Sequence, residues 1–221
     1  QADQDQVQLI LQRHVASFGG ERGLAALSSL RIEGTQLQDG QSLRFTMRKK
    51  RGGLHYHLSA GESTITCGFD GHSGWQRLAS GGEVQIEALS PAQLAVLREE
   101  SNFSSPLLRG LDHRRLALSL LESQNLGGNS FDVLQLSASG RPAERYYLDA
   151  VSGLLLKREQ LNADGTLQLE TLYRDYREVD GYPFAFEVES RLGDEQLALI
   201  RIDSIEVNPG LLSLYFDQPR S

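Results

Sequence analysis

Ser42-Leu43-Arg44-Phe45-Thr46-Met47-Arg48-Lys49-Lys50 decides the fold class. Leu43, Phe45 and Met47 point one way and Arg44, Thr46 and Arg48 the other, the two-residue period of a strand with one wet and one dry face. The pattern recurs over Leu30–Leu37, Leu54–Ser59, Ser63–Phe69, Gly74–Ser80 and Glu83–Leu89. It returns over Leu118–Gln124, Ser130–Ala138, Glu144–Leu148, Leu154–Asn162, Leu167–Val179, Tyr182–Leu192 and Gln196–Val207. Short links such as Asp39-Gly40, Gly52-Gly53, Asp70-Gly71, Gly81-Gly82, Asp164-Gly165 and Asp180-Gly181 supply the positive φ angles of tight hairpins. Gly127-Gly128 also reads as hairpin glycines. So many two-faced strands must form a sandwich or curl into a barrel, and a meander is the economical topology.

Helical periodicity is confined to two places. Asp3–Phe18 repeats apolar residues at Val7, Ile10, Leu11, Val15 and Phe18, and Gly19-Gly20 stops it. Gly23–Leu27 predicts a short second turn. Ser90-Pro91-Ala92-Gln93 opens the other helix with an N-cap, a proline at the first position and a capping-box partner. Leu94 and Leu97 make a thin stripe through Glu100. Ser101–Leu111 reads as a loop, His113–Ala117 as a link and Asn208–Ser221 as an irregular tail. Phe103, Leu107, Leu108 and Leu111 make that loop greasy enough to lie over something apolar.

The bulk numbers exclude several functions. A chain of 221 residues with 39% hydrophobic content fits one all-β domain with a sizeable core. A net charge of −7 disfavours binding to nucleic acid or to anionic lipid headgroups. There is no run of about 18 apolar residues, so no transmembrane segment is expected. The single cysteine, Cys67, forms no intrachain disulfide and reads as a small buried hydrophobe. The first residue, Gln1, fits removal of a leader, either a cleaved secretory signal or a signal ending at a lipidated cysteine.

Four phrases, taken in order, carry a family resemblance. They are Phe18-Gly19-Gly20-Glu21-Arg22-Gly23-Leu24 with Leu30-Arg31-Ile32-Glu33-Gly34, the Phe69–Trp75 hairpin, the Tyr147–Lys157 hairpin, and Tyr173–Phe184. Together they resemble the outer-membrane lipoprotein-sorting superfamily, the Lol-type lipoprotein carrier-like proteins, and in particular its uncharacterised exported relatives. The resemblance implies a mainly β fold with a few helices, in the α+β class. A single curled antiparallel sheet would form a half-open barrel, with an N-terminal helix and lid helices covering a hydrophobic cavity for acyl chains. It implies one domain over residues 1–221 and a location outside the cytoplasm: the periplasm, with tethering to the outer membrane if a lipidated cysteine precedes Gln1. Carriers of this group hold the lid with an Arg at a strand end. Arg51 in Lys50-Arg51-Gly52-Gly53-Leu54 stands at the matching place, with Gly52 where the carriers have Pro.

The expected ligand is a lipid, an acyl chain or a lipoprotein. Burying one methylene is worth about 0.8 kcal/mol, so a sixteen-carbon chain could gain roughly 12 kcal/mol, about nanomolar binding. A shuttle must therefore fill its cavity with its own side chains when empty. Leu94, Leu97, Phe103, Leu107 and Leu108 are the lid candidates, set against the alternative that they plug the barrel as permanent core. Phe45, Met47 and Trp75 are the candidates for the barrel wall, although a lone Trp also commonly packs a hairpin.

Signs of bond-making chemistry are absent. No Gly-x-Ser-x-Gly elbow occurs, and no glycine pair opens directly into a helix as a phosphate loop would. His55 and His57 share a strand face and could seed a metal site, with His72 or His113 as a third ligand, but the default is wall or surface histidines. The run Arg48-Lys49-Lys50-Arg51 reads first as a wet strand face, and the pairs Glu99-Glu100 and Glu187/Glu189 likewise. Neither enzyme activity, nor a cofactor, nor a catalytic or metal residue is expected. The second reading is a cell-envelope protein–protein interaction module with a filled barrel.

Overall fold

The computed structural model describes residues 2–103, 105–111, 116–121, 123–126, 128–138 and 141–219. Two helices, α1 (Ala2–Ala16) and α2 (Gly20–Ala26), precede a run of six strands. These are β1 (Ser29–Gln38), β2 (Gln41–Lys50), β3 (Gly53–Ala60), β4 (Ser63–Phe69), β5 (Gly74–Ser80) and β6 (Glu83–Ala88). Helices α3 (Pro91–Glu100) and α4 (Pro106–Leu111) follow. Then come β7 (Leu116–Leu120), β8 (Gln124–Leu126), β9 (Asn129–Ala138), β10 (Arg141–Asp149) and β11 (Leu155–Leu161). Three long strands, β12 (Leu167–Val179), β13 (Tyr182–Leu192) and β14 (Glu195–Val207), complete the sheet, and a 3-10 turn (Ser213–Tyr215) lies in the tail.

The molecule is mainly β, built on one antiparallel sheet of 14 strands in the order β6-β5-β4-β3-β2-β1-β14-β13-β12-β11-β10-β9-β7, with β8 paired to β9. Nearly every neighbour in the sheet is also a neighbour in sequence, as a meander requires. The order ends at β6 and β7 without closing. Asp39-Gly40 and Asp180-Gly181 each put two consecutive residues at positive φ, the conformation of two-residue hairpins that follow the strand twist.

Two compact units divide the chain: residues 1–25 with 105–199, and residues 26–104 with 200–221. In the first, the core gathers Val7 and Ile10 of α1, Leu107 of α4, Leu134 and Leu136 of β9, Tyr146 and Leu148 of β10, and Leu155 of β11. Their sequence signals were the helical stripe of α1 and the alternation of β9 and β10. His14 is wholly buried beside this core. Its Nδ1 donates to the Gly153 carbonyl at 2.7 Å and its Nε2 meets Ser105 Oγ at 2.6 Å. Ser105 Oγ also accepts the Leu108 N–H, so one buried imidazole ties α1 to the start of α4. Arg13 adds bonds to Asp132 at 2.9 Å and to the Ala150 carbonyl at 2.6 Å.

In the second unit, β1–β6 run as successive antiparallel hairpins. Met47 faces Ile32 and Tyr56, Phe45 faces Gly34 and Leu58, Tyr56 faces Cys67, and Leu58 faces Ile65. Rows of this kind put the apolar residues of neighbouring strands side by side on one face.

Several expectations need adjusting. The greasy stretch Ser101–Leu111 is not all loop, since Pro106–Leu111 forms α4, with proline near its start and Leu107 driven into the core. The expected strand Leu118–Gln124 divides into β7 and β8. The second helix begins at Gly20, not Gly23. Glu189, read as wet, is 7% exposed because Arg174 and Arg191 lie against it. Residues 113–115 of the expected link, with His113, and Gly127 fall outside the described residues.

Candidate functional site

The site is assembled within residues 26–104 and 200–221. Its floor is the apolar face of β1–β5. Phe45 is 6% exposed and stacks on Tyr56, with ring centroids 5.9 Å apart and planes 27° from parallel. Tyr56 donates from its hydroxyl to Gln36 Oε1 at 3.0 Å, and burial pushes its pKa up to about 12, helped by the neighbouring Cys67. Burial likewise raises the Cys67 thiol, which is half-buried. Met47 is half-buried between Ile32 and Tyr56.

Trp75 does not share this wall. The register pairs it with Gly68, and the Phe45–Met47 rows continue instead into Leu78 and Gln76 of β5. Its side chain covers Gly68 so closely that a Cβ there would lie 2.4 Å from the indole ring. On that opposite face Trp75 Nε1 donates to the Phe216 carbonyl at 3.2 Å, and the tail residues Tyr215 and Phe216 cover it. A two-residue period assigns a residue to one of two faces but not to the face of a residue on another strand. That is why bulk and apolarity alone misplaced the indole.

Helix α3 rests on β3 and β4. The Ser90 capping box is formed in full, with Ser90 Oγ accepting from the Gln93 N–H and Gln93 Oε1 accepting from the Ser90 N–H. Leu94 reaches the strand end at Gly74, and Arg98 lies over the Phe69 ring at 5.8 Å. Yet α3 contains no buried residue: Leu94 and Leu97 are half-buried and Val96 is 61% exposed.

The four cations at the end of β2 each lie near an aromatic ring, with Arg48, Lys49 and Lys50 half-buried and Arg51 exposed. Arg48 stands 4.6 Å above Tyr215 and Lys50 4.3 Å above Phe216, while Lys49 and Arg51 stand 5.5 Å and 5.8 Å from Phe103. Alternation along the strand sends Arg48 and Lys50 to the tail and Lys49 and Arg51 to the segment after α3. Each such contact is worth roughly 0.5–1 kcal/mol at an exposed site. Arg51 also donates from Nη2 to the Leu27 carbonyl at 3.1 Å. Arg51 and Phe103 thus meet, and one carbonyl that receives an Arg51 bond lies before β1. Gly52 has φ +70°, which proline cannot adopt, so the departure from the carrier pattern is the hairpin turn itself.

Of the other lid candidates, Leu107 is wholly buried in the core of the first unit and Leu108 is half-buried in α4. His57 Nδ1 bonds Thr66 Oγ1 at 2.8 Å. His55 lies between Trp75 and Tyr215, with its buried Nδ1 unpartnered. Burial, with Arg48 and His57 adding to it, lowers its pKa to about 4. Among the described residues no three His, Cys, Asp or Glu side chains gather as a metal site. Sequence reasoning missed Tyr56, Lys49 and the tail aromatics Tyr215 and Phe216. Only Tyr56 carried a signal, its place two residues from Leu54 and Leu58.

No family model matches the sequence, and no curated protein matches it either. Solved structures do. A LolA superfamily protein from Nitrosomonas europaea aligns at a TM-score of 0.60 and 12% identity, over 96% of this chain and 97% of that one. A DUF1329 family protein from Desulfovibrio piger gives 0.56 and 11%, over 96% and 97%. A domain assigned to outer membrane lipoprotein sorting, from Vibrio parahaemolyticus, gives 0.55 and 15%, over 94% of each chain. Over nearly its whole length, then, this chain has the fold of the lipoprotein-sorting and LolA superfamily structures.

Proposed function

We propose that this protein is an exported, non-enzymatic binding protein that holds a lipid, an acyl chain or a lipoprotein against the apolar face of β1–β5, with α3 and the Phe103 segment as its movable cover. The observation that carries the reading is the state of α3. It has an apolar stripe and a complete N-terminal cap, yet none of its residues is buried. A helix stabilised by its own cap and held by half-buried leucines can leave its seat at little cost. The floor that it would uncover is ready for an acyl chain, with Phe45, Met47, Tyr56 and Leu58 in register. Lys49 and Arg51 over Phe103 would act as the latch.

The fold shared with lipoprotein-sorting structures supports this reading, and supports residues 1–221 acting as one carrier-like domain in the periplasm, free or tethered to the outer membrane. No helix among the described residues is long and apolar enough to cross a membrane. The test is uptake of a fluorescent fatty acid and of a fluorescent triacylated lipopeptide by delipidated protein. Micromolar or tighter binding is expected, with Leu97→Glu or Phe103→Asp changing uptake at least threefold while the melting temperature stays within about 3 °C. Failure to bind either probe overturns the carrier reading and leaves the envelope interaction module. Equal losses of uptake and stability would make these residues permanent core.

A further inference from the structure

The first unit carries a second, separate opening, on the sheet face opposite the one that α1 covers. The register divides the strands cleanly. Leu134, Tyr146 and Leu148 look toward the core, while Val133, Tyr147, Lys157, Leu172 and Glu189 stand in the alternate rows. Between Tyr147 and Leu148 the register slips by one, because Leu148 pairs with Leu155 but Tyr147 with Lys157. Leu156 is the extra residue of this β-bulge, and a bulge turns its additional side chain toward the same face as its neighbour. The slip therefore sets Leu156 and Lys157 on the face that carries Val133, Tyr147 and Leu172.

The result is a pocket of about 680 Å³ lined by Phe131, Tyr147, Leu156 and Leu172, with Lys157 and Arg174 among its polar groups. Its size lies within the range of small-molecule sites, and its floor is largely apolar.

We propose that this pocket is a binding site for a small amphipathic monoanion, an aromatic or alkyl body with one anionic head. The body would lie on Phe131, Leu156 and Leu172, and the head would take the outer donors of Arg174. The polar neighbours decide the sign of the head. Lys157 is already spent: its Nζ bonds Glu159 at 2.8 Å, lies 3.8 Å from Glu170 and 4.0 Å above the Tyr147 ring. Asp149 takes the Val151 and Ser152 N–H groups and the Ser152 hydroxyl on Oδ1, and Asp175 takes Arg177 on both oxygens. Tyr147 and Tyr176 donate to Glu159 and to the Leu155 carbonyl. Arg174 uses Nη1 alone for both Glu187 and Glu189, and its Nε and Nη2 have no partner among the described residues. Those remaining N–H groups present the planar fork that suits a carboxylate or sulfonate.

The site is independent of the carrier reading, since it is built from other strands. The probe is 8-anilinonaphthalene-1-sulfonate, which has an aromatic body and one sulfonate, with the uncharged N-phenyl-1-naphthylamine as its control. Binding of the sulfonate is expected to weaken about tenfold in Arg174→Gln and to be lost in Leu172→Asp, with circular dichroism unchanged. The neutral dye should bind Arg174→Gln as it binds the parent. Phe45→Asp, on the other apolar face, should leave the sulfonate site intact. Absence of sulfonate binding to the parent overturns the proposal, as does loss in Phe45→Asp with retention in Arg174→Gln. If Leu172→Asp proves unfolded, Leu156→Gln replaces it, and unchanged binding there would also overturn the assignment.

Discussion

Helices α1 and α3 look alike in sequence, each with an apolar stripe bounded by clear stop or start signals, but they are held in opposite ways. Helix α1 is fixed by tertiary contacts: Val7, Ile10 and His14 are buried, and Arg13 and His14 bond to three distant segments. Helix α3 is fixed by its own end, through Ser90 and Gln93, and buries no residue. A helix whose stability comes from packing is part of the core and cannot move without unfolding it. A helix whose stability is local can keep its form while leaving its seat. The contrast separates permanent wall from possible cover, and it explains why Leu107 belongs with α1 while Leu94 and Leu97 do not.

Four changes would break or sharpen this contrast. The largest effect is expected from Ile10→Ala, which deletes buried methylenes from the α1 core and should cost about 2–5 kcal/mol, read from urea unfolding midpoints. A loss under 1 kcal/mol would mean that α1 is no better anchored than α3.

A pH titration should separate the two helices next. Burial holds the His14 pKa below its ordinary value of 6.5, against the smaller opposing effect of its bond to Gly153. Below pH 6.5 the unfolded chain therefore binds more protons than the folded one, so stability is complete above that pH and falls as the pH drops toward the depressed folded value. His14→Gln should flatten part of this slope in thermal melts. His55 adds to the slope over a window from 6.5 down to about 4. An unchanged slope in His14→Gln would show that the imidazole is not the link between α1 and α4.

Ser90→Ala removes the cap of α3 and should cost that helix about 1 kcal/mol. Amide exchange over residues 91–100 should speed several-fold while global unfolding barely shifts. If the global midpoint fell by the whole amount, α3 would be folding with the core. The smallest effect is expected from Val96→Ser, within about 0.5 kcal/mol by urea unfolding, because the side chain is mostly in water.

What the sequence determined by itself was local and periodic. Alternation at Ser42–Lys50 and its repeats required two-faced strands, Asp-Gly pairs placed the hairpins, and Ser90-Pro91-Ala92-Gln93 opened a helix. These follow from φ, ψ and side-chain direction over a few residues, so neighbouring residues suffice to state them. Tertiary structure alone decided where those faces met. It put Trp75 behind the wall of Phe45 and Met47, folded part of a supposed loop into α4, sent four adjacent cations to two different aromatic segments, and added Leu156 to an outer pocket by a one-residue slip. Register, burial and partner choice depend on strands far apart in the chain, and no periodicity within one segment carries that information.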